Sequence, residues 1–393
     1  MDKRLYEEYC TGCGLCCSIT NQQLEYDSKG FPKVHIDEQY EQLYKTVCPC
    51  SGNASKKISQ TSMWGKSEAV YVGWATDKSI RYHASSGGIL TAICCYLLDE
   101  QIVDGVIQTK KDDKICYLTK TVVSKTTEEV KNCAGSRYTV SSPLKDLDNL
   151  IDAGKKYAFV GKPCDVSALR MYMENNKELS EQIPYLFSFF CAGTPSGDAE
   201  LKLLSALGVN NKDDCVNLTY RGNGWPGFAV ATRKDGTTTS ISYNDSWGQI
   251  LGRDVRKSCR FCIDGVGEFA DIACGDAWYL NSDENPEFTE KDGRNVIFIR
   301  TERGMKLFRS IENANIVFSE DYSLRIGELK HSQKHQYERK ASMRAMIFGM
   351  QIVGKKSPKY DKKVLAAFAK NVSFKLRVRR MLGTVKRALD GKI

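Results

Sequence analysis

Between residues 66 and 205 the chain alternates short apolar runs with stretches of helical periodicity. The apolar runs AVYVGWA from Ala69, VDGVIQT from Val103 and KYAFVG from Lys156 are typical of buried strands. Helical patterns begin near residues 89, 166 and 198. Because alternating strands and helices form crossover units, this order predicts a largely parallel sheet with helices on its faces.

The flanking regions have other patterns. Residues 206–330 hold more strand-like than helical runs (NLTYRG, FAVATRK, TTTSISY and NVIFIRT), which is typical of an α+β module. Residues 1–65 are irregular and rich in cysteine, and residues 331–393 have a helical pattern. We therefore predict an α/β (α+β) protein with four regions: a cysteine-rich module over 1–65, a central mixed α/β domain over 66–205, an α+β domain over 206–330 and a basic helical tail over 331–393.

Composition and charge exclude several classes of protein. With 41% hydrophobic and 27% charged residues, the chain has an ordinary globular composition. It has no run of about 18 apolar residues, and its start, MDKRLYEEYC, lacks the apolar stretch of a secretory signal, so we expect a cytoplasmic protein. The net charge is +9, but residues 355–393 hold 13 Lys or Arg and two Asp, which leaves a nearly neutral body. A neutral body argues against a nucleic-acid partner.

Sixteen cysteines are the most unusual feature of the chain. In a long chain without a secretory signal, metal-bound thiolates account for so many cysteines better than disulfides do. Three of them have two residues between neighbours, a pattern that wraps one corner of an iron–sulfur cluster. A remote Cys-Pro supplies the fourth ligand. The predicted ligands of this first set are Cys10, Cys13, Cys16 and Cys48.

Two alternatives remain open for the first set. Cys17 can replace Cys16, and Cys50 can replace Cys48, because each lies within two residues of its neighbour. A structural zinc site also uses four cysteines with the same two-residue gaps, although zinc ligands usually come as two separated pairs. The triple spacing favours iron–sulfur over zinc.

A second, dispersed set of four cysteines is weaker as a pattern. Its members are Cys164 in GKPCD, Cys191 in FFCAG, and Cys259 and Cys262 in KSCRFC. Cys164 and Cys191 follow strand-like runs, so we expect them at the carboxyl ends of strands, where open parallel sheets gather ligands. From spacing alone, a second cluster and four buried unliganded thiols are equally compatible with the sequence.

Two glycine-containing turns are candidate phosphate-binding elements. The first comprises Ser85, Ser86, Gly87 and Gly88, and the second comprises Gly135, Ser136, Arg137 and Tyr138. The first turn precedes a helical run, where Ser85 or Ser86 can cap the helix and the glycines allow close approach to an anion at its positive end. Such turns can cradle the phosphates of FAD or FMN; a plain helix cap and a surface turn are the alternatives.

An ordered set of motifs carries a family resemblance. The motifs SSGGILTAI, AGSRY, GKPCDVSALR, FFCAG, YRGNGWPG, CRFCIDGVGEFADIACGDAW and NVIFIRTERG, in this order, resemble the coenzyme F420 hydrogenase/dehydrogenase beta-subunit family. The resemblance implies an FAD-binding oxidoreductase with one or two 4Fe-4S clusters. It implies that both glycine turns lie near the flavin and that the dispersed cysteines hold a second cluster. This chain departs from the family pattern in lacking an immediate fourth cysteine in its N-terminal motif, a place that we assign to Cys48.

The resemblance also implies a function. We expect a ferredoxin-like iron–sulfur module over 1–65 and electron transfer between a ferredoxin-like partner and an organic acceptor, either a small molecule or a sugar conjugate, with the direction left open. The alternatives are an electron-transfer subunit of a larger F420-reducing complex and a zinc-stabilised binding protein without a redox role. No catalytic residue is assigned, and His83 and Asp276 are the candidate proton donors.

The tail has an apolar stripe within a basic helix. The stripe consists of Val378, Met381, Leu382, Val385 and Leu389, which fall at helical spacing among lysines and arginines. A helix of this kind can lie on a membrane surface, dock on an acidic partner such as a ferredoxin, or pack its stripe on the body of the protein. The sequence leaves all three open.

Overall fold

The computed structural model describes residues 3–35 and 37–393, most of which surround one large mixed sheet. The helices are α1 (Lys3–Glu8), α2 (Leu15–Thr20), α3 (Glu41–Val47), α4 (Gly52–Lys57), α5 (Lys78–His83), α6 (Ile89–Asp99), α7 (Thr127–Lys131), α8 (Leu147–Leu150), α9 (Pro163–Met173), α10 (Lys177–Gln182), α11 (Gly197–Ala206), α12 (Lys257–Arg260), α13 (Glu302–Asn313), α14 (Leu329–Ser332), α15 (Lys334–Ile352), α16 (Lys362–Ala369) and α17 (Phe374–Leu389). The strands are β1 (Leu24–Tyr26), β2 (Pro32–Val34), β3 (Ala69–Ala75), β4 (Gly105–Lys111), β5 (Thr119–Ser124), β6 (Tyr157–Gly161), β7 (Tyr185–Phe189), β8 (Cys215–Thr219), β9 (Phe228–Arg233), β10 (Thr238–Ser242), β11 (Ile272–Asp276), β12 (Asn295–Ile299) and β13 (Val317–Asp321).

The large sheet is mixed rather than largely parallel. Within the described residues its eight strands have the order β13-β3-β12-β11-β7-β6-β4-β5. The four strands β4, β6, β7 and β11 are parallel, but β5 pairs antiparallel with β4, and β12, β3 and β13 form antiparallel pairs at the other side. The predicted strands at β3, β4 and β6 are present, but β3 lies between two strands from the C-terminal half. Local alternation of strand and helix does not encode these distant partners.

The boundary predicted between residues 205 and 206 does not divide the sheet. Strands β11, β12 and β13 follow that boundary and join the large sheet, whereas β8, β9 and β10 form a separate antiparallel sheet. The N-terminal region carries α1 to α4 and the small antiparallel pair β1 and β2. The C-terminal strands therefore help to build the same sheet edge as the central ones.

Period-two alternation of the strands places apolar side chains on both faces of the sheet. In β6, Phe159 faces one buried cluster and Ala158 faces the other, and in β12 Phe298 and Ile297 divide in the same way. Helix α9 packs on the first face and α6 on the second. The predicted helical cover on both faces is present, and the buried sheet holds its strand ends in fixed positions.

The C-terminal tail is helical, as predicted, and packs on the body. Met350 of α15, Phe368 of α16 and Ala388 of α17 are buried, whereas Phe374 and Leu389 of α17 remain 74% exposed. In the part of the chain that the structure describes, no helix combines the length and the apolar character needed to cross a bilayer. Contact of the exposed side of α17 with a membrane or an acidic partner stays a prediction.

We expect a Phe368→Ala variant to lower the free energy of unfolding by about 3–5 kcal/mol, because it leaves a cavity where a buried ring packed. Chemical denaturation measures this change. Phe374→Ala is the matched control, since its ring is 74% exposed, and should alter stability by no more than about 0.5 kcal/mol. Equal effects of the two substitutions would show that the tail does not pack in this way.

Candidate functional site

A cavity of about 880 Å³ lies at the carboxyl ends of the parallel strands. Gly161 at the end of β6, Phe189 at the end of β7 and Asp276 at the end of β11 all line it. Because these strands are parallel, their carboxyl ends meet at one edge of the sheet. The volume is in the range of sites that hold a cofactor or another small organic molecule.

The second cysteine set lies next to this cavity, and two of its four members reach the wall. Cys164 lies in the first turn of α9, directly after β6, and Cys191 follows the adjacent parallel strand β7. Cys259 belongs to α12, and its Sγ accepts a hydrogen bond of 3.3 Å from the backbone N–H of Thr194. Cys191 and Cys259 both line the cavity. The fold thus joins cysteines that are far apart in sequence.

Burial and mutual proximity perturb these thiols. Burial, together with the nearby thiol of Cys259, raises the pKa of Cys191 to about 11. Burial also raises the pKa of Cys262 to about 12, with contributions from Cys259 and Cys191, and it raises that of Cys164 well above its ordinary value. Thiols with raised pKa values are protonated at neutral pH unless a positive metal centre stabilises the thiolates. Three thiols with raised pKa values that lie near one another and near Cys259 fit a cysteine-bound iron–sulfur cluster.

The first cysteine set forms at the tight loop before α2. Gly12 and Gly14 both have positive φ angles, of 74° and 88°. A Cβ on Gly12 would lie 2.3 Å from Nη1 of Arg256, so only glycine fits that position. Burial raises the pKa of Cys10 and Cys13, and the thiol of Cys48 raises both further. The loop therefore brings the remote Cys48 to the N-terminal motif.

The thiols of Cys17 and Cys50 contact those of Cys16 and Cys48, with 3.5 Å between the sulfurs of Cys48 and Cys50, but each also has a partner outside the N-terminal motif. A hydrogen bond with Cys17, burial, and the nearby Cys13 and Cys10 raise the pKa of Cys16. Cys17, in contrast, has a lowered pKa because of its hydrogen bond with Cys16 and the nearby Lys145. Similarly, the thiol of Cys50 donates a 2.7 Å hydrogen bond to the carbonyl oxygen of Tyr9. Cys16 and Cys48 are the members of each pair that interact with the N-terminal motif.

Arg256 connects the two cysteine sets. Its Nη1 donates a 3.1 Å hydrogen bond to the carbonyl oxygen of Thr11, within the first set, and it lies three residues before Cys259 of the second. Ser258 Oγ donates to the carbonyl oxygen of Cys10 at 3.1 Å. The sets are therefore neighbours, and of the two only the second has members, Cys191 and Cys259, that line the cavity.

No preformed site for a single ion accompanies these sets. Across residues 3–35 and 37–393, no three His, Cys, Asp or Glu side chains are grouped so as to hold a metal ion. The fit of iron–sulfur clusters therefore rests on the cysteine spacing and on the proximity of the thiols within each set, not on a preformed ligand geometry.

The first glycine turn lies against the cavity, but its serines do not cap α6. Gly88, with φ of 78°, is the residue before the helix, and Asn295 Oδ1 accepts from the N–H of Ile89 at 3.3 Å. Ser86 Oγ donates to the carbonyl oxygen of Arg294 at 2.8 Å. The expected serine cap is therefore wrong, because two glycines separate the serines from the helix start.

Three residues of the first turn, Ser85, Ser86 and Gly88, line the cavity. Gly87 instead packs against β12, where a Cβ would lie 2.8 Å from the backbone nitrogen of Asn295. The close packing of Gly87 on β12 requires a compact turn, and the compact turn places its other residues in the cavity wall.

The second turn meets the first. The backbone N–H of Ser136 donates to Ser85 Oγ, and all four residues of the second turn line the cavity. Gly135 has φ of 94°, and the ring of Tyr138 lies 4.7 Å from that of Trp247. Arg137 has a buried Nε without a hydrogen-bond partner, while its Nη1 donates to a backbone oxygen. A guanidinium with an unsatisfied Nε beside two turns fits a phosphate-bearing cofactor such as FAD.

A buried ion pair supports the other side of the cavity. Arg221 donates two hydrogen bonds to the carboxylate of Asp276, at 2.9 and 2.8 Å, and Trp225 Nε1 donates to the same carboxylate at 2.9 Å. Trp225 stacks on Trp278 with ring centroids 4.6 Å apart. Of the two candidate proton donors, Asp276 is thus held in a structural network. His83 is exposed, and its Nδ1 lies 2.7 Å from Asn223 Oδ1, outside the cavity lining.

Two models of known families match successive parts of the chain. The model for the N-terminal part of the coenzyme F420 hydrogenase/dehydrogenase beta subunit matches residues 70–147, and the model for its C-terminal part matches residues 154–323. The chain belongs to this family. The matched residues of this beta-subunit family member include both glycine turns and the second cysteine set, but not α15, α16 or α17.

Relatives in the beta-subunit family are subunits of F420-dependent enzymes by name. The F420-dependent formate dehydrogenase subunit beta of Methanocaldococcus jannaschii is 28% identical over 61% of this chain and 58% of its own length. The coenzyme F420 hydrogenase subunit beta of Methanococcus voltae is 28% identical over 62% of this chain and 80% of its own length. The chain thus spans less than two thirds of the first of these relatives.

A solved structure shares the fold. A chain of the F420-reducing NiFe hydrogenase complex from Methanosarcina barkeri is 21% identical and superposes with a TM-score of 0.55, covering 74% of this chain and 96% of that chain. This similarity confirms the mixed α/β fold of this beta-subunit family member.

Several cavity residues carry no sequence signal. Lys162 Nζ pairs with Asp165 at 2.8 Å, and Tyr243 lies beneath the guanidinium of Arg221. Arginines from the tail also reach the cavity: Arg380 and Arg387 of α17 line it together with Arg260 and Arg339. Helical spacing in the tail indicated an apolar stripe but could not show where the basic residues point.

Proposed function

We propose that this chain is an iron–sulfur flavoprotein oxidoreductase that passes electrons between a ferredoxin-like partner and an organic acceptor. One observation carries the proposal: Cys191 and Cys259 of the second set line the same cavity that both glycine turns line, and Cys164 and Cys262 lie close to these two thiols. Bound iron–sulfur clusters supply one-electron chemistry and bound FAD supplies two-electron chemistry. The arrangement supports a function that needs both.

The first cysteine set is the proposed contact for the electron-carrying partner. Cys10, Cys16 and Cys48 are partly exposed, and none of the first set lines the cavity. This position supports a 4Fe-4S cluster held by Cys10, Cys13, Cys16 and Cys48 near the surface. The hydrogen bond from Arg256 to the backbone of the first set would fix the position of this cluster relative to the second set.

The second set and the turns are the proposed inner half of the site. Cys164, Cys191, Cys259 and Cys262 would hold the second 4Fe-4S cluster. The turns Ser85–Gly88 and 135–138 would bind the phosphates of FAD, with Arg137 supplying the positive charge and Tyr138 an aromatic surface. The remaining cavity would admit the organic acceptor, a small molecule or a sugar conjugate, and exclude bulk water from it.

A second candidate is an electron-transfer subunit of a larger complex. The names of the relatives favour it, since the formate dehydrogenase and hydrogenase proteins are both called beta subunits of F420-dependent enzymes. On this alternative the cofactors stay the same, and the organic acceptor would be F420 or a group held by a partner subunit.

Anaerobic purification with iron, sulfide, zinc and flavin counts tests the proposal. We expect about eight irons and one FAD per chain, a brown colour, and reduction of the flavin by a reduced ferredoxin. A colourless protein that contains zinc would contradict the redox function and favour the binding-protein alternative. Cofactors at the expected counts, with flavin reduction only after addition of a partner subunit, would favour the electron-transfer subunit.

A further inference from the structure

Four arginines line the cavity, and of these only Arg380 has a carboxylate partner within the described residues, Glu338. Arg260, Arg339, Arg380 and Arg387 all line it, and the Nε atom of each is buried and lacks a hydrogen-bond partner in the described residues. Arg260 belongs to α12, within the family match, whereas Arg339 of α15 and Arg380 and Arg387 of α17 come from the tail, which the family models do not cover. Burying polar cations without partners is costly unless a ligand supplies them.

The other contacts of these arginines leave their charge largely unbalanced. Arg339 donates to the carbonyl oxygens of Cys191 and Ala192, both at 3.1 Å, and so supports the backbone near the second cysteine set. Arg380 pairs with Glu338 at 2.6 Å. Nη2 of Arg260 donates a 2.8 Å hydrogen bond to a backbone carbonyl oxygen, not to a carboxylate.

Arg387 is the least satisfied of the group. Burial, with the nearby guanidiniums of Arg260 and Arg380, lowers its pKa. Burial lowers the pKa of Arg260, and the carboxylate of Asp254, which opposes this shift, already pairs with Lys29 at 3.2 Å and accepts a hydrogen bond from Ser196. Like charges held together in a partly buried wall repel one another, so an anion at this place would stabilise the folded chain.

We propose that Arg260, Arg380 and Arg387 form a subsite for the phosphate or diphosphate group of the organic acceptor. Guanidinium groups bind phosphate oxygens through paired hydrogen bonds, and several of them together favour an anion with more than one negative charge. The identity of this anion as part of the acceptor rests on the proposed function; anion binding itself does not. Arg137 and the two turns assigned to FAD line the same cavity but belong to other elements of the chain.

Titration of the purified, cofactor-loaded chain with inorganic pyrophosphate tests the subsite, with isothermal calorimetry as the readout. We expect Arg387→Gln to weaken pyrophosphate binding at least about tenfold, the usual consequence of losing a charge-assisted hydrogen bond. Arg387→Lys, which keeps the charge but loses the planar fork, should weaken it less. Arg379→Gln is the matched control, because Arg379 lies on the same helix but is exposed, and it should bind like the unaltered chain.

Thermal unfolding provides the second readout. Without pyrophosphate, Arg387→Gln should unfold at the same temperature as the unaltered chain or a higher one, since repulsion is relieved; with pyrophosphate, only the unaltered chain and Arg379→Gln should be stabilised. Absence of binding to the unaltered chain would overturn the subsite, as would equal binding by Arg387→Gln. Release of FAD by pyrophosphate would also overturn it, by showing that the arginines hold the flavin phosphates. A chain that lacks flavin yet binds pyrophosphate through Arg387 would retain the subsite and contradict the proposed function.

Discussion

A Cys16→Ser chain purified without oxygen is expected to lose about four irons, whereas a Cys17→Ser chain keeps its full count. The two cysteines are adjacent in sequence but face different groups. Cys16 lies near Cys13 and Cys10, while Cys17 is buried near Lys145. Serine is a poor substitute for a thiolate ligand, so only the residue that binds iron should matter. Iron and sulfide counts, with the absorption spectrum, measure the loss.

A second pair of variants tests the remote ligand, Cys48, in the same way. Cys48→Ser should lose the same cluster, and Cys50→Ser should not, because the thiol of Cys50 donates to Tyr9. Flavin content should stay constant in all four variants, since the first cysteine set does not line the cavity. A Cys17→Ser chain that loses a whole cluster would contradict the ligand assignment.

Local patterns predicted the elements better than their pairing. The apolar run at Ala69–Ala75 is a strand because its alternate side chains enter the two buried clusters of the sheet. Its partners, β12 and β13, lie more than 200 residues later, and no local signal indicates an antiparallel pair at that distance. The predicted parallel order therefore held for β4, β6 and β7, and β11, where no strand was predicted, joins them in parallel.

Local sequence patterns likewise predicted some residues of the candidate site and missed others. Two-residue cysteine spacing marks the first set locally, and the strand-like runs before Cys164 and Cys191 placed both at strand ends, where they lie. The arginine wall could not be predicted, since Arg380 and Arg387 follow the usual pattern of a basic helix surface. Only the packing of α17 on α15 turns them toward the cavity, and that packing depends on small residues such as Gly349 and Thr384.

Asp276→Asn is expected to lower the free energy of unfolding by about 3–5 kcal/mol and to release bound flavin. The substitution leaves Arg221, which is only 3% exposed, as a buried cation without its carboxylate. The Asn amide has one acceptor oxygen, so it cannot satisfy the two Arg221 donors and Trp225 Nε1 together, and the ring of Trp225 stacks on Trp278 in the cavity wall. Chemical denaturation and a flavin count measure the two effects together.

Asp292→Asn is the matched control, since Asp292 pairs with Arg81 at 3.6 Å but is 86% exposed, and it should change stability by no more than about 1 kcal/mol. Replacing both partners, as Arg221→Met with Asp276→Leu, should recover much of the lost stability, because no buried charge is then left alone. If Asp276 were instead the proton donor, Asp276→Asn would keep its fold and flavin and lose only turnover. The bidentate contact with Arg221 argues against that outcome, because both carboxylate oxygens are already engaged in holding the cavity wall.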